Sequence, residues 1–303
     1  MRNRLLSLGL ALLMICSLSA LALAAEAPAT ETPAPTEAVT QAPEVTPETE
    51  TETPEVNVQT PQPVVDPNSP VVEVDGVAVA NARSILKNGT TYVSLNFITM
   101  ALRPDAVSEW KVDRTTLTAP DFTLSAKVGN HHLVMNNRYL YIPDGVQMTD
   151  DGETLVPVRT LAKALGAEVT WDGAVNLKSG GTPLENGNTF YNASDVDLLA
   201  RVIYHESGNQ PLTGQIAVGN VLLNRVNSPI FPNTVKGVVF QPNQFHNATC
   251  YAPSARCVIV AKMCLDGAVV LPNAYWFNGA GIGCWASCNK THIATIGGHA
   301  FYG

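Results

Sequence analysis

The sequence predicts an α+β protein in two parts: a small α+β domain over residues 71–180 and a mainly helical C-terminal domain with a small β-sheet over residues 186–303. Three observations predict this architecture. A strand–helix–strand pattern occurs twice in the first part. In the second part, apolar residues recur at helical spacing after residue 193, and a strand-like run of aromatic residues lies near position 275.

The N-terminal end has the pattern of a signal peptide. Arg2 and Arg4 precede an apolar run from Leu5 to Leu23, which closes on the small residues of Ala22-Leu23-Ala24. This pattern predicts export and cleavage after residues 1–24. Because the run is nearly long enough to cross a bilayer, an uncleaved membrane anchor is the alternative.

Residues 25–70 are predicted to form a disordered tether. From residue 26 to residue 70 the chain has nine acidic residues, ten prolines and no Lys or Arg. Such a segment cannot bury enough apolar surface to fold, and its prolines and like charges favour an extended spacer. The tether supplies most of the negative charge, since residues 191–303 contain six basic and four acidic residues. This mild positive balance suits an anionic wall polymer and is too weak to indicate nucleic acid.

The middle segment contains an internal repeat. Residues 89–95 and 152–158 share small, polar and apolar positions, and each copy continues into a helical pattern that closes on a tryptophan. A short strand, a helix and a return strand, used twice, predict a compact α+β module. The matching positions in the two copies are Ile98 and Leu161, Leu102 and Leu165, and Trp110 and Trp171.

This segment resembles the N-terminal domain of copper amine oxidases, a stalk module of exported bacterial proteins. The likeness lies in Val74-Asp75-Gly76 and in the run from Leu165 to Asp172. It implies a spacer or a wall contact. It does not imply copper, because His131 and His132 are adjacent and neighbours on a strand point apart, so they form no ligand set.

A helix that ends in a glutamate opens the C-terminal domain. Ser194 is predicted to cap this helix, with Asp195 and Asp197 placing negative charge at its positive end. Glu206 continues the apolar face of the helix, and Gly208 is expected to end it. The apolar face consists of Val196, Leu199, Ala200 and Ile203.

Glu206 is the candidate catalytic acid. Burial on an apolar face and the negative end of the helix dipole both favour the protonated form of a carboxyl group. A general acid needs that form at neutral pH. The alternative is a buried structural glutamate paired with Arg225 or Arg201.

The domain offers few other acids. Beyond Glu185 the chain has one glutamate and three aspartates. Asp197 and Asp195 lie nine and eleven residues before Glu206, about 13–17 Å along the helix, which exceeds the separation in two-carboxylate glycosidases. Asp266 is predicted to close another helix, beside Gly267. One acid without a carboxylate partner therefore indicates something other than an ordinary two-carboxylate hydrolase.

Two longer segments, residues 199–206 and 214–226, are similar to the first two helices of the SleB-type cell-wall hydrolases. The similarity extends over roughly 105 residues and includes the segments 231–235, 238–242, 244–245 and 296–302. It implies a lysozyme-like fold and a single catalytic glutamate at Glu206. Related lytic transglycosylases cleave between N-acetylmuramic acid and N-acetylglucosamine, and the muramyl 6-hydroxyl closes a 1,6-anhydro ring. The chain departs from the family at Gly208-Asn209-Gln210, where many members have Arg-Gly-Glu.

Aromatic and amide side chains are the candidates for substrate binding. Aromatic rings stack on sugars, and amides hydrogen-bond acetamido groups. Alternation along a strand sends Trp276 opposite to its two neighbours, so at least one ring of residues 275–277 could instead belong to the core. Trp285 is a weaker candidate. The predicted substrate-binding residues are Gln244, Phe245, Tyr275, Phe277, Asn278 and Tyr204.

After Cys16 leaves with the signal peptide, five cysteines remain, all within the last 54 residues. Disulfides suit an exported protein, although an odd number leaves at least one thiol unpaired within the chain. The spacing lacks the paired CxxC arrangement of structural zinc sites, so no metal or other cofactor is predicted. A cysteine amidase, with Cys284 activated by His292 or His299, is the rival enzyme class. The five are Cys250, Cys257, Cys264, Cys284 and Cys288.

Together these features predict a secreted, wall-associated enzyme that acts on peptidoglycan through Glu206. Hydrolysis with water, as in a muramidase, is the nearest alternative. A wall-binding protein without catalytic activity is the other. The altered segment after the catalytic glutamate and the stalk module are the features that favour this last reading.

Overall fold

The computed structural model describes residues 68–303, and of His246 only the backbone. The predicted signal peptide and nearly all of the predicted tether lie outside these residues. None of the helices within residues 68–303 combines the length and the apolar character that a bilayer span requires. The described residues form a β-rich first domain and a mainly helical second domain, each with its own hydrophobic core.

The first domain contains three sheets and two helices. The sheets have the orders β12-β13-β1-β2, β10-β11-β4-β3 and β5-β6-β7-β8-β9. The strands are β1 (Val72–Val74), β2 (Val77–Ala78), β3 (Ser84–Lys87), β4 (Thr90–Ser94), β5 (Val107–Lys111), β6 (Arg114–Ala119), β7 (Phe122–Lys127), β8 (His132–Met135), β9 (Arg138–Tyr141), β10 (Gln147–Met148), β11 (Thr154–Pro157), β12 (Glu168–Trp171) and β13 (Val175–Lys178), and the helices are α1 (Leu95–Leu102) and α2 (Val158–Leu165).

The internal repeat folds as two strand–helix units that lie side by side. Strands β4 and β11 pair antiparallel, with Val93 opposite Val156, and each runs directly into its helix. The side chain of Ser94 caps α1, whereas Gly166 ends α2 in the left-handed conformation. A Cβ at Gly166 would also lie 2.2 Å from the carbonyl oxygen of Thr182, so the position requires glycine. Strand β5 is the predicted return strand of the first copy, whereas β6–β9, which continue from it as a meander before the second copy, were not predicted.

The adjacent histidines of this domain are structural. His131 is exposed, and its Nδ1 lies 2.9 Å from the carbonyl oxygen of Pro143. His132 is half-buried and packs on the ring of Tyr139.

The second domain packs helices around a core and closes with a small antiparallel sheet of order β14-β16-β15. The helices α4, α5 and α7 bury Leu199, Ile203, Ile216 and Val260 completely. The elements are α3 (Gly187–Phe190), α4 (Ala193–Ser207), α5 (Leu212–Val226), α6 (Val235–Val239), a 3₁₀ helix (His246–Cys250), α7 (Ala255–Leu265), β14 (Trp276–Gly279), α8 (Trp285–Asn289), β15 (His292–Ile296) and β16 (His299–Tyr302).

The ends of α4 differ in detail from the prediction. Asn192, rather than Ser194, caps the helix, and its Oδ1 accepts hydrogen bonds from the backbone of Ser194 and Asp195. The helix ends at Ser207 as expected, but Gly208 keeps a right-handed conformation with φ of −57°. Glycine is needed there for space, because a Cβ would lie 2.5 Å from the carbonyl oxygen of Tyr204.

A buried ion pair joins the two domains. Asp266 caps the end of α7, as predicted, and its carboxylate accepts hydrogen bonds from Nε and Nη2 of Arg138 on β9. The hydroxyl of Tyr191 and the backbone N–H of Tyr139 donate to the second oxygen. The side chain of Asp266 is 1% exposed, so this junction is desolvated.

Candidate active site

Glu206 lies in the last turn of α4, where the buried face of the helix reaches the surface. Its neighbours Ile203 and Ser207 are fully buried, whereas the glutamate side chain is 26% exposed. One carboxyl oxygen shares a hydrogen bond of 3.0 Å with Nδ1 of His205. The carboxyl group is thus partly desolvated and held in one orientation while it remains accessible from solvent.

The two arginines that could have neutralised this glutamate bind elsewhere. Arg201 pairs with Asp197 at 2.8 Å and donates to the backbone carbonyl of Tyr251. Arg225 donates to the carbonyl oxygen of Tyr275 and to the side chain of Gln244. Within residues 68–303, no Lys or Arg forms a salt bridge with Glu206, which removes the structural alternative of a glutamate clamped by a guanidinium.

The three aspartates of this domain are also engaged away from Glu206. Asp195 lies in the first turn of α4, and Asp197 pairs with Arg201. Asp266 is buried in the junction between the domains. No other carboxylate hydrogen-bonds Glu206 among the described residues, so the site contains a single acid.

An open groove of about 560 Å³ lies at the C-terminal end of α4, and Glu206 itself is not among the residues that line it. Its walls include Tyr204, which was predicted to bind substrate, and His205. Tyr251, which was not predicted, stacks on His205 with the ring centroids 5.9 Å apart. Because Tyr251 reaches the groove through the loop held by Arg201, no local pattern could have identified it. Gly208 and Asn209 complete the lining.

His299 is a second polar group near Glu206 that the substrate-binding prediction missed. Burial lowers the pKa of His299, and the negative charge of Glu206 acts in the opposite direction with a smaller effect. The imidazole is therefore neutral at neutral pH. Its Nδ1 is buried without a hydrogen-bond partner, and its ring stands edge-on to Phe277 with centroids 5.3 Å apart.

The hairpin that carries His299 is fixed to the segment after the catalytic helix. Strands β15 and β16 are joined by Gly297 and Gly298, and the backbone N–H of Gly298 donates to Oε1 of Gln210 at 2.7 Å. Gly297 has φ of +56°, and a Cβ there would lie 2.2 Å from the same Oε1 atom. Gln210 therefore clamps this turn.

Two of the predicted sugar-stacking residues belong to the core. Phe245 is 7% exposed and stacks on Phe277 with centroids 6.2 Å apart. Phe277 also packs on Phe301, which is opposite to it in the sheet. Alternation along β14 places the Phe277 ring on the side of the helices, where both phenylalanines pack against the core, and sugar stacking by these two rings stays a prediction.

The other predicted binding residues are spread over the domain. Tyr275 is half-buried and stacked on Phe231, with centroids 6.1 Å apart. Gln244 is exposed, and its side chain accepts a hydrogen bond from Arg225. The amide of Asn278 donates to the carbonyl oxygen of Ile282, so it holds the loop after β14. These three residues are not among those that line the groove at the end of α4.

All five cysteines of residues 68–303 are free thiols. Cys257 and Cys264 are buried in α7, and burial raises the pKa of the Cys264 thiol to about 12. His292 bonds to Thr295, and neither His292 nor His299 shares a hydrogen bond with Cys284 in the described structure. This arrangement lacks the nucleophile–base pair that a cysteine amidase requires. No cluster of three potential metal ligands occurs within residues 68–303.

Comparison with known families assigns both domains. Residues 209–302 match the family described as Cell Wall Hydrolase, and residues 73–178 match the Copper amine oxidase N-terminal domain. The first match begins three residues after Glu206. The second covers all strands of the first domain except the first residue of β1.

Curated relatives are spore cortex-lytic enzymes. The protein of Oceanobacillus iheyensis is 46% identical over 67 residues, which are 22% of this chain and 24% of that protein. The protein of Bacillus subtilis is 47% identical over 55 residues, or 18% of each chain. The chain thus spans about a quarter or less of the length of these relatives.

Two solved structures are also similar. The catalytic domain of the Bacillus cereus SleB protein is 31% identical, with a TM-score of 0.35, and the match covers 37% of this chain and 92% of that one. The Bacillus anthracis SleB catalytic domain is 31% identical, with a TM-score of 0.36 and coverage of 40% and 100%. By the family match, residues 209–302 belong to the cell wall hydrolase family, and they follow a domain of the copper amine oxidase N-terminal type.

Proposed function

We propose that this chain is an exported, wall-associated enzyme that cleaves the glycan strand of peptidoglycan, with Glu206 as its catalytic acid. The observation that carries the proposal is a single half-buried glutamate in the last turn of α4, which within residues 68–303 has neither a Lys or Arg partner nor a second carboxylate bound to it. The match to the cell wall hydrolase family and the similarity to spore cortex-lytic enzymes support peptidoglycan as the substrate.

In the first step, the Glu206 carboxyl group donates its proton to the glycosidic oxygen. The bond between this oxygen and C1 of the muramyl sugar breaks, and positive charge develops at C1. The hydrogen bond from His205 keeps the acid in place, because a carboxyl group that rotates freely donates less efficiently.

In the second step, the Glu206 carboxylate accepts the proton of the muramyl 6-hydroxyl group. The 6-oxygen attacks C1 and closes a 1,6-anhydro ring, which restores the carboxylic acid. This route needs neither an attacking water nor a nucleophilic carboxylate, and it fits a site with one acid. His299 lies near this acid as a neutral imidazole, because burial lowers the pKa of the ring.

Digestion of purified sacculi by the full chain and by its Glu206→Gln variant tests this function. Loss of a general acid lowers the rate by about 10²–10⁴-fold, and we expect that loss here. Asp197→Asn is the matched control, because it removes an exposed carboxylate of the same helix.

Mass spectrometry of the products identifies the reaction. Anhydro ends are lighter than reducing ends by one water, so they distinguish the transglycosylase from a muramidase. Intact glycan strands with released peptides would indicate an amidase. Retention of full activity by Glu206→Gln would overturn the assignment, and binding of sacculi without any cleavage would show a wall-binding protein.

A further inference from the structure

Two tryptophans and a lysine form a compact patch at the end of the second domain, here called the aromatic–lysine patch. Trp285, the first residue of α8, is 61% exposed, and Trp276 on β14 is half-buried beside it. The ring centroids are 6.1 Å apart. Lys290 Nζ lies 4.2 Å from the centroid of Trp276 and 5.5 Å from that of Trp285.

The patch is held by the fold rather than by chance contacts of mobile side chains. Ala286, which follows Trp285, is buried in a small cluster with Trp276 and Tyr302. The backbone N–H of Lys290 donates to the carbonyl oxygen of Ala286 at 2.9 Å, which fixes the end of α8. The two rings and the ammonium group are therefore presented together, with one tryptophan largely open to solvent.

The patch lies on the face of the small sheet opposite to the side that faces Glu206. Trp276 pairs with Tyr302 in the register between β14 and β16, whereas Phe277 pairs with Phe301. Successive residues of a strand point to opposite faces, so Trp276 and Phe277 are on different sides. His299, whose pKa responds to Glu206, contacts Phe277. A ligand on the patch is thus separate from Glu206 and His299.

Charge in this region favours an anionic ligand. Residues 267–303 contain no Asp or Glu, and Lys290 is their single Lys or Arg. Lys290 forms no salt bridge with any residue of the described part of the chain. An ammonium group that no carboxylate neutralises, next to an exposed indole ring, suits a polymer that combines sugar rings with carboxylates. Peptidoglycan strands have both, in their hexose units and in the free carboxylates of the peptide stems they carry.

We propose that the aromatic–lysine patch is an anchoring subsite for the glycan strand of peptidoglycan, in which a sugar ring stacks on Trp285 and Lys290 binds a carboxylate of the strand. The proposal rests on the proposed function. The patch holds the enzyme on the insoluble polymer while Glu206 acts at a different place on the domain.

Binding of purified sacculi by full-length Glu206→Gln protein provides the test, since that variant separates binding from cleavage. In this background, Trp285→Ala should weaken binding by about tenfold, and Lys290→Gln by about threefold, with the smaller effect vanishing at high salt. Trp110→Ala and Lys111→Gln are matched controls, because they remove an exposed tryptophan and an exposed lysine from β5 of the first domain. The controls should change the affinity by less than about twofold.

A second measurement separates anchoring from catalysis. With Glu206 intact, Trp285→Ala should slow the digestion of sacculi more than the digestion of short soluble glycan fragments, so the ratio of the two rates should fall. Unchanged binding in Trp285→Ala, an equal loss in the controls, or an equal loss of cleavage on soluble fragments would each overturn the proposal. If the unsubstituted chain cleaves nothing while Trp285→Ala still loses binding, the proposed function fails and the anchoring subsite stands.

Discussion

Removal of the Asp266 carboxylate should destabilise the junction between the two domains more than any surface substitution. The side chains of Asp266 and Arg138 are 1% and 8% exposed, and the guanidinium also lies 3.3 Å from the centroid of the Phe190 ring. Asp266→Ala leaves this cation buried without a counter-charge. It also leaves the hydroxyl of Tyr191 without its acceptor; burial and the carboxylate hold the pKa of that hydroxyl above its usual range.

The size of the effect follows from burial. Loss of one partner from a buried ion pair costs about 3–5 kcal/mol. At about 2–4 °C per kcal/mol for domains of this size, the midpoint of thermal unfolding should fall by about 6–20 °C. The pair of Asp197 and Arg201 is the matched control, because it is an Asp–Arg pair with side chains 50% and 26% exposed. Its loss should cost about 0.3–0.5 kcal/mol.

Differential scanning calorimetry of Asp266→Ala, Asp197→Ala and the unsubstituted chain measures both effects. A double substitution, Arg138→Met with Asp266→Leu, removes both charges and should recover much of the loss, because no unpaired ion remains in the interior. The reasoning is refuted if Asp266→Ala lowers the midpoint no further than Asp197→Ala, or if the double variant is less stable than Asp266→Ala.

Three further outcomes follow from the site and the cores. Gln210→Ala removes the acceptor for the backbone of Gly298, so cleavage of sacculi should fall several-fold while the free energy of unfolding falls by about 1 kcal/mol. Gln210→Glu keeps the acceptor and should retain most activity, and a larger loss in Gln210→Glu than in Gln210→Ala would contradict the clamp. Burial, and to a smaller extent the charge of His131, lowers the pKa of His132. The unfolded chain therefore binds a proton at this histidine more readily than the folded chain. The free energy of unfolding should accordingly fall as the pH drops below about 6.5. His132→Phe should make that pH dependence shallower in urea titrations at about pH 7 and about pH 5, and an unchanged slope would show that His132 is not responsible. Alkylation at mildly alkaline pH, followed by peptide mass mapping, should modify the exposed thiols of Cys250 and Cys288. The buried thiols of Cys257 and Cys264 in α7 should stay unmodified until the chain unfolds, and rapid labelling of these two would contradict their burial.

The features that the sequence predicted correctly are those encoded by local periodicity. The apolar spacing from Val196 to Ile203 placed Glu206 at the end of α4, and the structure confirms that position. The repeated motif identified β4 with α1 and β11 with α2. Such patterns are readable because neighbouring residues determine which face of an element is buried.

The features that were missed depend on contacts between distant parts of the chain. Arg138 and Asp266 are 128 residues apart, and each alone reads as an ordinary surface charge. The orientation of residues 275–277 depends on which face of the sheet packs on the helices. In the structure this face carries Phe277, which packs against the core of the second domain. Tyr251 reaches the groove because Arg201 holds its loop from 50 residues away. The spacing of residues along the sequence does not predict such long-range contacts.

The parallel pairing of β1 with β13 determines how the first domain responds to a pulling force. Val72 aligns with Val175 and Val74 with Leu177, so the strand that enters the domain lies beside the strand that leaves it. A load between the segment before residue 68 and the second domain pulls the two strands along their axes in opposite directions. The backbone hydrogen bonds between them then share the load and break together rather than one after another. The domain can thus transmit tension from the segment that precedes it to the second domain without unravelling from its ends.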